Sequence, residues 1–82
     1  MDKAIHSAAQ VTLSRLLREH RVDAGLRQVD VADRLEKPQS FVSKYESGER
    51  RIDFIELNQI CDALGIDVIE LVQVLKAQAD GT

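Results

Sequence analysis

Residues 27–48 read RQVDVADRLEKPQSFVSKYESG, and this stretch decides the fold. Val31, Ala32 and Leu35 recur at helical spacing and predict a helix over about Gln28–Leu35. Asp30 and Asp33 fall on its outer side. Val42 and Tyr45 give the inner face of a second helix, which starts near Pro38 and is stopped by Gly48. Proline fits that start because a first-turn amide has no intrahelical partner. Between the two, Glu36-Lys37-Pro38 leaves room only for a tight turn. The second helix offers a row of small polar side chains, Gln39, Ser40, Ser43 and Lys44, away from its apolar face.

The flanking sequence supports this pair. Upstream, Leu13, Leu16, Leu17, His20 and Ala24 mark one face of a helix from about Ala8 to Ala24. Ser7 with Gln10 resembles a capping box, while Thr12 would cap a shorter version. Gly25 stops this helix, since glycine takes a left-handed conformation without steric penalty. Downstream, Glu49-Arg50-Arg51-Ile52 is a charged loop. Asp53 caps a fourth helix with Glu56 as its reciprocal partner. Leu57, Ile60, Cys61 and Leu64 form that helix's apolar face, and Gly65 ends it. Asp67 and Glu70 repeat the capping pattern for a fifth helix, Val68 to about Lys76. No run alternates like a strand, so the expected fold is all-α with five helices.

The 82 residues make one domain, 1–82, with a core of about 8–76 and tails at 1–7 and 77–82 that include His6. A chain this size buries only about 60–65% of its unfolded surface, so its core is small. Only Phe41, Tyr45 and Phe54 are aromatic, which leaves the packing mainly to aliphatic residues. Phe41 is expected to be half-buried. The lone Cys61 excludes an internal disulfide and lacks the companions of a zinc site; it reads as a small core hydrophobe. No apolar stretch approaches twenty residues, and a cytoplasmic protein is expected.

Ser14, Ser40 and Ser43 have no histidine at triad spacing, and there is no Gly-rich phosphate loop or metal cluster. Catalysis is not expected, and no cofactor is implied. The net charge of −3 is unevenly spread. Between Val11 and Ile52 nine Lys/Arg face seven Asp/Glu, whereas the remainder holds two against seven. That asymmetry would turn the central segment toward a polyanion. Strong nonspecific affinity for one is not expected.

Taken in order, Ala24-Gly25-Leu26, Gln28, Val31-Ala32, Leu35, Gln39-Ser40, Val42-Ser43, Tyr45-Glu46, Gly48, Ile52 and Ala63-Leu64-Gly65-Ile66 resemble the lambda-repressor/Cro-like, or XRE-type, helix-turn-helix family. The similarity covers about Leu17–Leu71. No single element is specific; the ordered set is. The resemblance implies that the third helix enters the major groove of double-stranded DNA while the second lies across the backbone. It places Gln39, Ser40, Ser43 and Lys44 at base-contacting positions. Glutamine can pair bidentately with adenine, and lysine can donate to guanine. Gln28 matches a phosphate-binding glutamine that also steadies Gln39. Arg27, Ser47, Arg50 and Arg51 are further candidate phosphate contacts, which set register without reading sequence. For Arg50 and Arg51 an ordinary charged loop is the equal alternative. Arg21 and Glu46 match a family ion pair tying the first helix to the end of the third.

Three positions depart from the family. Arg27 stands in place of a Thr or Ser cap, which removes roughly 1 kcal/mol of capping. Glu36 stands in place of the turn glycine. A left-handed glutamate is uncommon and strained, so a different turn backbone is expected here. Pro38 replaces a common serine cap. Finally, Val68, Ile69, Leu71, Val72, Val74 and Leu75 exceed one buried face. The surplus is expected to form a two-fold homodimer contact through Ile69, Val72 and Leu75. The expected function is a DNA-binding transcriptional regulator, more readily a repressor, on a palindromic operator. The alternative is a protein-interaction module, such as an antitoxin or anti-regulator partner, on the same scaffold.

Overall fold

The computed structural model describes residues 7–80. The expected terminal segments 1–6, with His6, and 81–82 lie outside the described residues. Five helices follow one another: α1 (Ala8–Asp23), α2 (Gln28–Leu35), α3 (Gln39–Ser47), α4 (Phe54–Leu64) and α5 (Val68–Asp80). No described residue is in a strand. No described helix is long and apolar enough to cross a membrane.

Each start has a local cause. The Ser7 hydroxyl accepts from the Gln10 amide at 3.1 Å and opens α1. At α4, Asp53 Oδ1 accepts from the Glu56 amide at 2.7 Å, and Glu56 Oε1 accepts from the Asp53 amide at 3.1 Å. This is a full capping box. At α5 the pattern is simpler than expected. Asp67 Oδ1 accepts from the Ile69 amide, two residues on, rather than exchanging bonds with Glu70. Pro38 is the extended cap of α3, so the helix begins one residue later, at Gln39.

The turn between α2 and α3 keeps the backbone that the substitution at Glu36 put in question. Glu36 takes φ 57° and ψ 43°, squarely left-handed. Its amide donates to Asp33 O and the Lys37 amide to Ala32 O. Gly25 and Gly65 close α1 and α4 with the same pair of bonds. This is the Schellman closure, in which the 6→1 and 5→2 bonds satisfy carbonyls the helix leaves open. At Glu36 those two bonds hold a conformation that costs a residue with a Cβ about 1–2 kcal/mol.

The core is a single cluster. It takes Leu13, Leu16 and Leu17 from α1, Val31 and Ala32 from α2, and Phe41, Val42 and Tyr45 from α3. Leu57, Ile60, Cys61 and Leu64 come from α4 and Leu71 from α5. Fully burying such aliphatic side chains is worth about 1.5–3 kcal/mol each. Ala24 is exposed, because the chain leaves α1 just before it, and its place on the apolar face is not realised. Phe41 is more deeply buried than expected and meets the Tyr45 ring edge-on at 5.5 Å. Ser14 is a buried polar residue whose hydroxyl has no partner among the described residues.

Helix α5 runs further than expected, to Asp80 rather than about Lys76. Gln78 explains part of that extension, since its side-chain oxygen accepts from the Arg15 guanidinium on α1. The surplus apolar residues also sort differently. Leu71 is buried, while Val68, Val72 and Leu75 are half-buried against the domain's own core. Ile69 and Val74 point outward.

Candidate nucleic-acid interface

Helix α3 presents two separate arcs. At about 100° per residue, Phe41, Val42 and Tyr45 span roughly 100° of its circumference, and all three are buried. Gln39, Ser43, Ser47, Ser40 and Lys44 cover a contiguous arc of roughly 140° on the other side, and all five are exposed. Burial of the first arc fixes which side the second turns outward. Among the described residues, the Ser40, Ser43 and Lys44 side chains have no intramolecular hydrogen bond.

Helix α3 is braced at both ends. Near its C-terminus, Arg21 Nε donates to Glu46 Oε2 at 2.7 Å and Arg21 Nη2 donates to Glu46 Oε1 at 3.0 Å. The Glu46 side chain is only 3% exposed and that of Arg21 11%. Arg21 Nη1 donates to Leu26 O at 2.8 Å, so the guanidinium also holds the chain leaving α1. The hydrogen bond with Glu46 raises the Arg21 pKa further above its already high ordinary value. Glu46 Oε1 takes a third donor, Gln28 Nε2, at 3.0 Å. Gln28 Oε1 in turn lies 3.4 Å from Gln39 Nε2, a long and weak contact. An ordered chain thus runs from α1 through Glu46 and Gln28 to the first residue of α3.

The candidate phosphate contacts are in three different states. Arg27 caps α2 without a side-chain cap of its own. The lost cap is partly replaced by Asp30, whose Oδ2 accepts from the Arg27 amide at 2.8 Å. Asp30 also takes the Arg27 guanidinium, with Nε at 3.1 Å and Nη2 at 2.9 Å. Asp30 is therefore half-covered and paired rather than simply solvated. Those bonds hold its carboxyl well below the usual range, at about 2. Arg50 is likewise engaged, donating to both oxygens of Glu56 at 3.0 and 2.9 Å. Its guanidinium lies 4.7 Å from the centre of the Phe41 ring, a cation–π contact on α3 itself. Pairing with Arg50 pulls the Glu56 carboxyl below its ordinary pKa. The Ser47 hydroxyl lies 3.1 Å from both Lys44 O and Glu49 Oε2. Arg51 is exposed, and its side chain makes no hydrogen bond among the described residues. The two neighbouring arginines, alike in sequence, are thus unlike in structure.

Sequence reasoning missed Asp30 and Glu56 as partners of these arginines, although their i,i+3 and capping spacings were visible. It also missed the exposed Phe54 and Ile55 on the first turn of α4, which are 64% and 66% exposed. The three positions expected at a dimer contact divide: Ile69 is free, while Val72 and Leu75 are half-covered by their own domain. No group of three or more His, Cys, Asp or Glu side chains among the described residues is placed to hold a metal ion. Burial pushes the Cys61 thiol up to about 11, with Asp62 and Asp67 adding to the shift.

With this geometry in hand, the chain can be set beside known proteins. The helix-turn-helix domain family matches residues 12–75. Among solved structures, an XRE-family like protein from Pseudomonas syringae pv. tomato str. DC3000 is 46% identical, with 93% of each chain covered and a TM-score of 0.85. A mutant of the restriction–modification controller protein C.Esp1396I shares the fold at 21% identity and a TM-score of 0.80, covering 88% of this chain and 91% of its own. No curated protein matches this chain.

Proposed function

This chain belongs to the XRE-type helix-turn-helix family, and from that premise we propose that it is a DNA-binding transcriptional regulator acting in the cytoplasm as a homodimer. Helix α3 enters the major groove and α2 lies across the backbone. Gln39, Ser40, Ser43 and Lys44 meet base edges, and Arg27, Gln28, Ser47, Arg50 and Arg51 meet phosphates. The observation that carries this reading is the exposed polar arc of α3, set opposite its buried arc and braced through Glu46 and Gln28. The short Ser40 and Ser43 side chains let the helix approach base edges closely, and Gln39 and Lys44 reach further to donate or accept there.

Two copies related by a two-fold axis would set their α3 helices about 34 Å apart, one turn of DNA, on a palindromic operator. Ile69 supplies the outward apolar contact for that pairing, with Val72 and Leu75 completing it at their uncovered edges. Occupying a promoter in this way blocks polymerase, so repression is the expected sign. The test is a mobility-shift titration on the DNA upstream of its own gene, repeated across salt concentrations. Binding weakens steeply with salt and drops with Lys44→Ala if α3 docks as described. Binding indifferent to both would contradict the docking. A second reading, a protein-interaction module, is favoured by the exposed Phe54, Ile55 and Ile69 and by the net charge of −3. A stoichiometric co-purifying protein, with no shift on any promoter fragment, would select it.

A further inference from the structure

Charge neutralisation on the binding face follows a pattern. Both engaged arginines, Arg27 and Arg50, belong to the phosphate-positioning set, and each is clasped by two oxygens of one carboxylate. The base-reading arc carries no such partner: Ser40, Ser43 and Lys44 are exposed and unpaired among the described residues. Glu49 adds a third carboxylate at the Ser47 hydroxyl. Carboxylates thus cover two of the three arginines of the phosphate set, Arg51 being exposed and unpaired among the described residues, and none pairs with Lys44 on the base-reading arc.

We propose that Asp30 and Glu56 are electrostatic masks that lower the protein's affinity for DNA of any sequence. The inference rests on the DNA-binding reading above. Phosphate contacts supply essentially all of nonspecific binding. An arginine already paired with a carboxylate must break that pair to reach a phosphate, or bring an extra negative charge beside it. Exposed ion pairs of this kind are weak, so the masks attenuate binding and do not abolish it. Base contacts made by the unmasked arc are unaffected, and because phosphates are met on every sequence the masks lower specific and nonspecific affinity together. Both carboxylates also hold helix starts through backbone amides, Arg27 N for Asp30 and Asp53 N for Glu56. The corresponding amides, Asn and Gln, keep one acceptor for those backbone bonds, while they remove the charge and turn the other oxygen into a donor, which opens the clasp on the arginine.

The experiment measures binding of the full chain to a mixed-sequence 30-bp duplex by fluorescence anisotropy. Wild type is compared with Asp30→Asn, Glu56→Gln, the double variant, and a control that matches the double variant's charge change at the start of α5, Asp67→Asn/Glu70→Gln. A phosphate contact scales affinity as roughly the −0.9 power of salt concentration, which is about fivefold at 0.15 M and about twofold at 0.4 M. Each single variant is expected to bind about fivefold more tightly at 0.15 M and the double about 25-fold, the gains shrinking accordingly at 0.4 M. The control should gain less than about twofold, since charges beyond a Debye length of about 8 Å are screened. Arg27→Ala should cost more affinity in the Asp30→Asn background than in wild type. The single variants report independently, so misfolding of one leaves the other to decide. If wild type binds the duplex and neither variant gains more than the control, the masks are refuted and the DNA-binding reading stands. If neither wild type nor any unmasked variant binds this duplex, the masks are refuted as well, and the mobility shift on the upstream DNA decides the DNA-binding reading separately.

Discussion

Removing the Glu46 carboxylate should be strongly destabilising. Glu46→Ala deletes the acceptor of three hydrogen bonds, two from Arg21 and one from Gln28. The Arg21 guanidinium would keep only Leu26 O as a partner while its side chain stays 11% exposed. Breaking one side of a buried ion pair typically costs about 3–5 kcal/mol, because the other charge is left without compensation. An 82-residue domain has about 4–12 kcal/mol of stability at the usual value per residue. The loss therefore takes a quarter of the stability at the least and all of it at the most. At about 4–8 °C per kcal/mol, the melting temperature should fall by roughly 12–40 °C. Urea unfolding followed by helical circular dichroism, run on Glu46→Ala, Arg21→Ala and the double variant, measures the effect and its coupling. The double variant should lose clearly less than the two single losses added together, since it leaves neither charge stranded. A loss below about 1 kcal/mol for Glu46→Ala, or strict additivity of the pair, would refute the reasoning and reduce the bridge to an ordinary surface contact.

Three further outcomes follow from the same geometry. Glu36→Gly should raise stability by about 0.5–1 kcal/mol, because glycine adopts φ 57° without the Cβ clash and loses only part of that gain to chain entropy; an unchanged or lower urea midpoint would contradict a strained Glu36. Cys61 is fully buried and its pKa is pushed up to about 11, so a thiol reagent at neutral pH should modify it only as fast as the domain unfolds, at a rate that urea accelerates. Asp30 has its pKa lowered to about 2 by Arg27, so its charged form is favoured by folding. Its contribution to stability is present above the ordinary carboxylate pKa near 4 and disappears as pH falls toward 2. Asp30→Asn should flatten that part of a stability–pH profile, and an identical profile in the variant would remove Asp30 from the account.

Much of the fold was legible because two independent signals agreed in most elements. Apolar residues at helical spacing gave the faces, and Ser7, Asp53, Gly25, Gly48 and Gly65 marked where helices begin or end. Glu36 was the point where local preference misled. Propensity argues against a left-handed glutamate, but two closing hydrogen bonds and the packing of Val31 and Ala32 impose the turn regardless. The end of α5 was illegible for a related reason. Residues 77–80 carry no capping signal, and their helical state follows from contact with α1, where Arg15 meets Gln78. On the binding face, the residue types and their arc on α3 could be read from spacing alone. What spacing could not supply was the pairing state of each arginine. Arg50 and Arg51 are neighbours of one type, and only the three-dimensional position of Glu56 and Phe41 distinguishes them.

The central claim is that the polar arc of α3 reads bases, and the most direct test compares two DNA sequences in one protein. A duplex selected from a random pool by the wild-type protein and a mixed-sequence duplex are titrated in parallel against wild type, Gln39→Ala and Lys44→Ala. Each base contact is worth about 1–3 kcal/mol of discrimination. The substitutions should therefore weaken binding to the selected duplex by roughly 5- to 150-fold. Gln39→Ala should leave the mixed-sequence duplex almost untouched, and Lys44→Ala should lower it only by the few-fold that one lost cation removes. Equal losses on both duplexes, or no loss on either, would show that the arc does not read sequence.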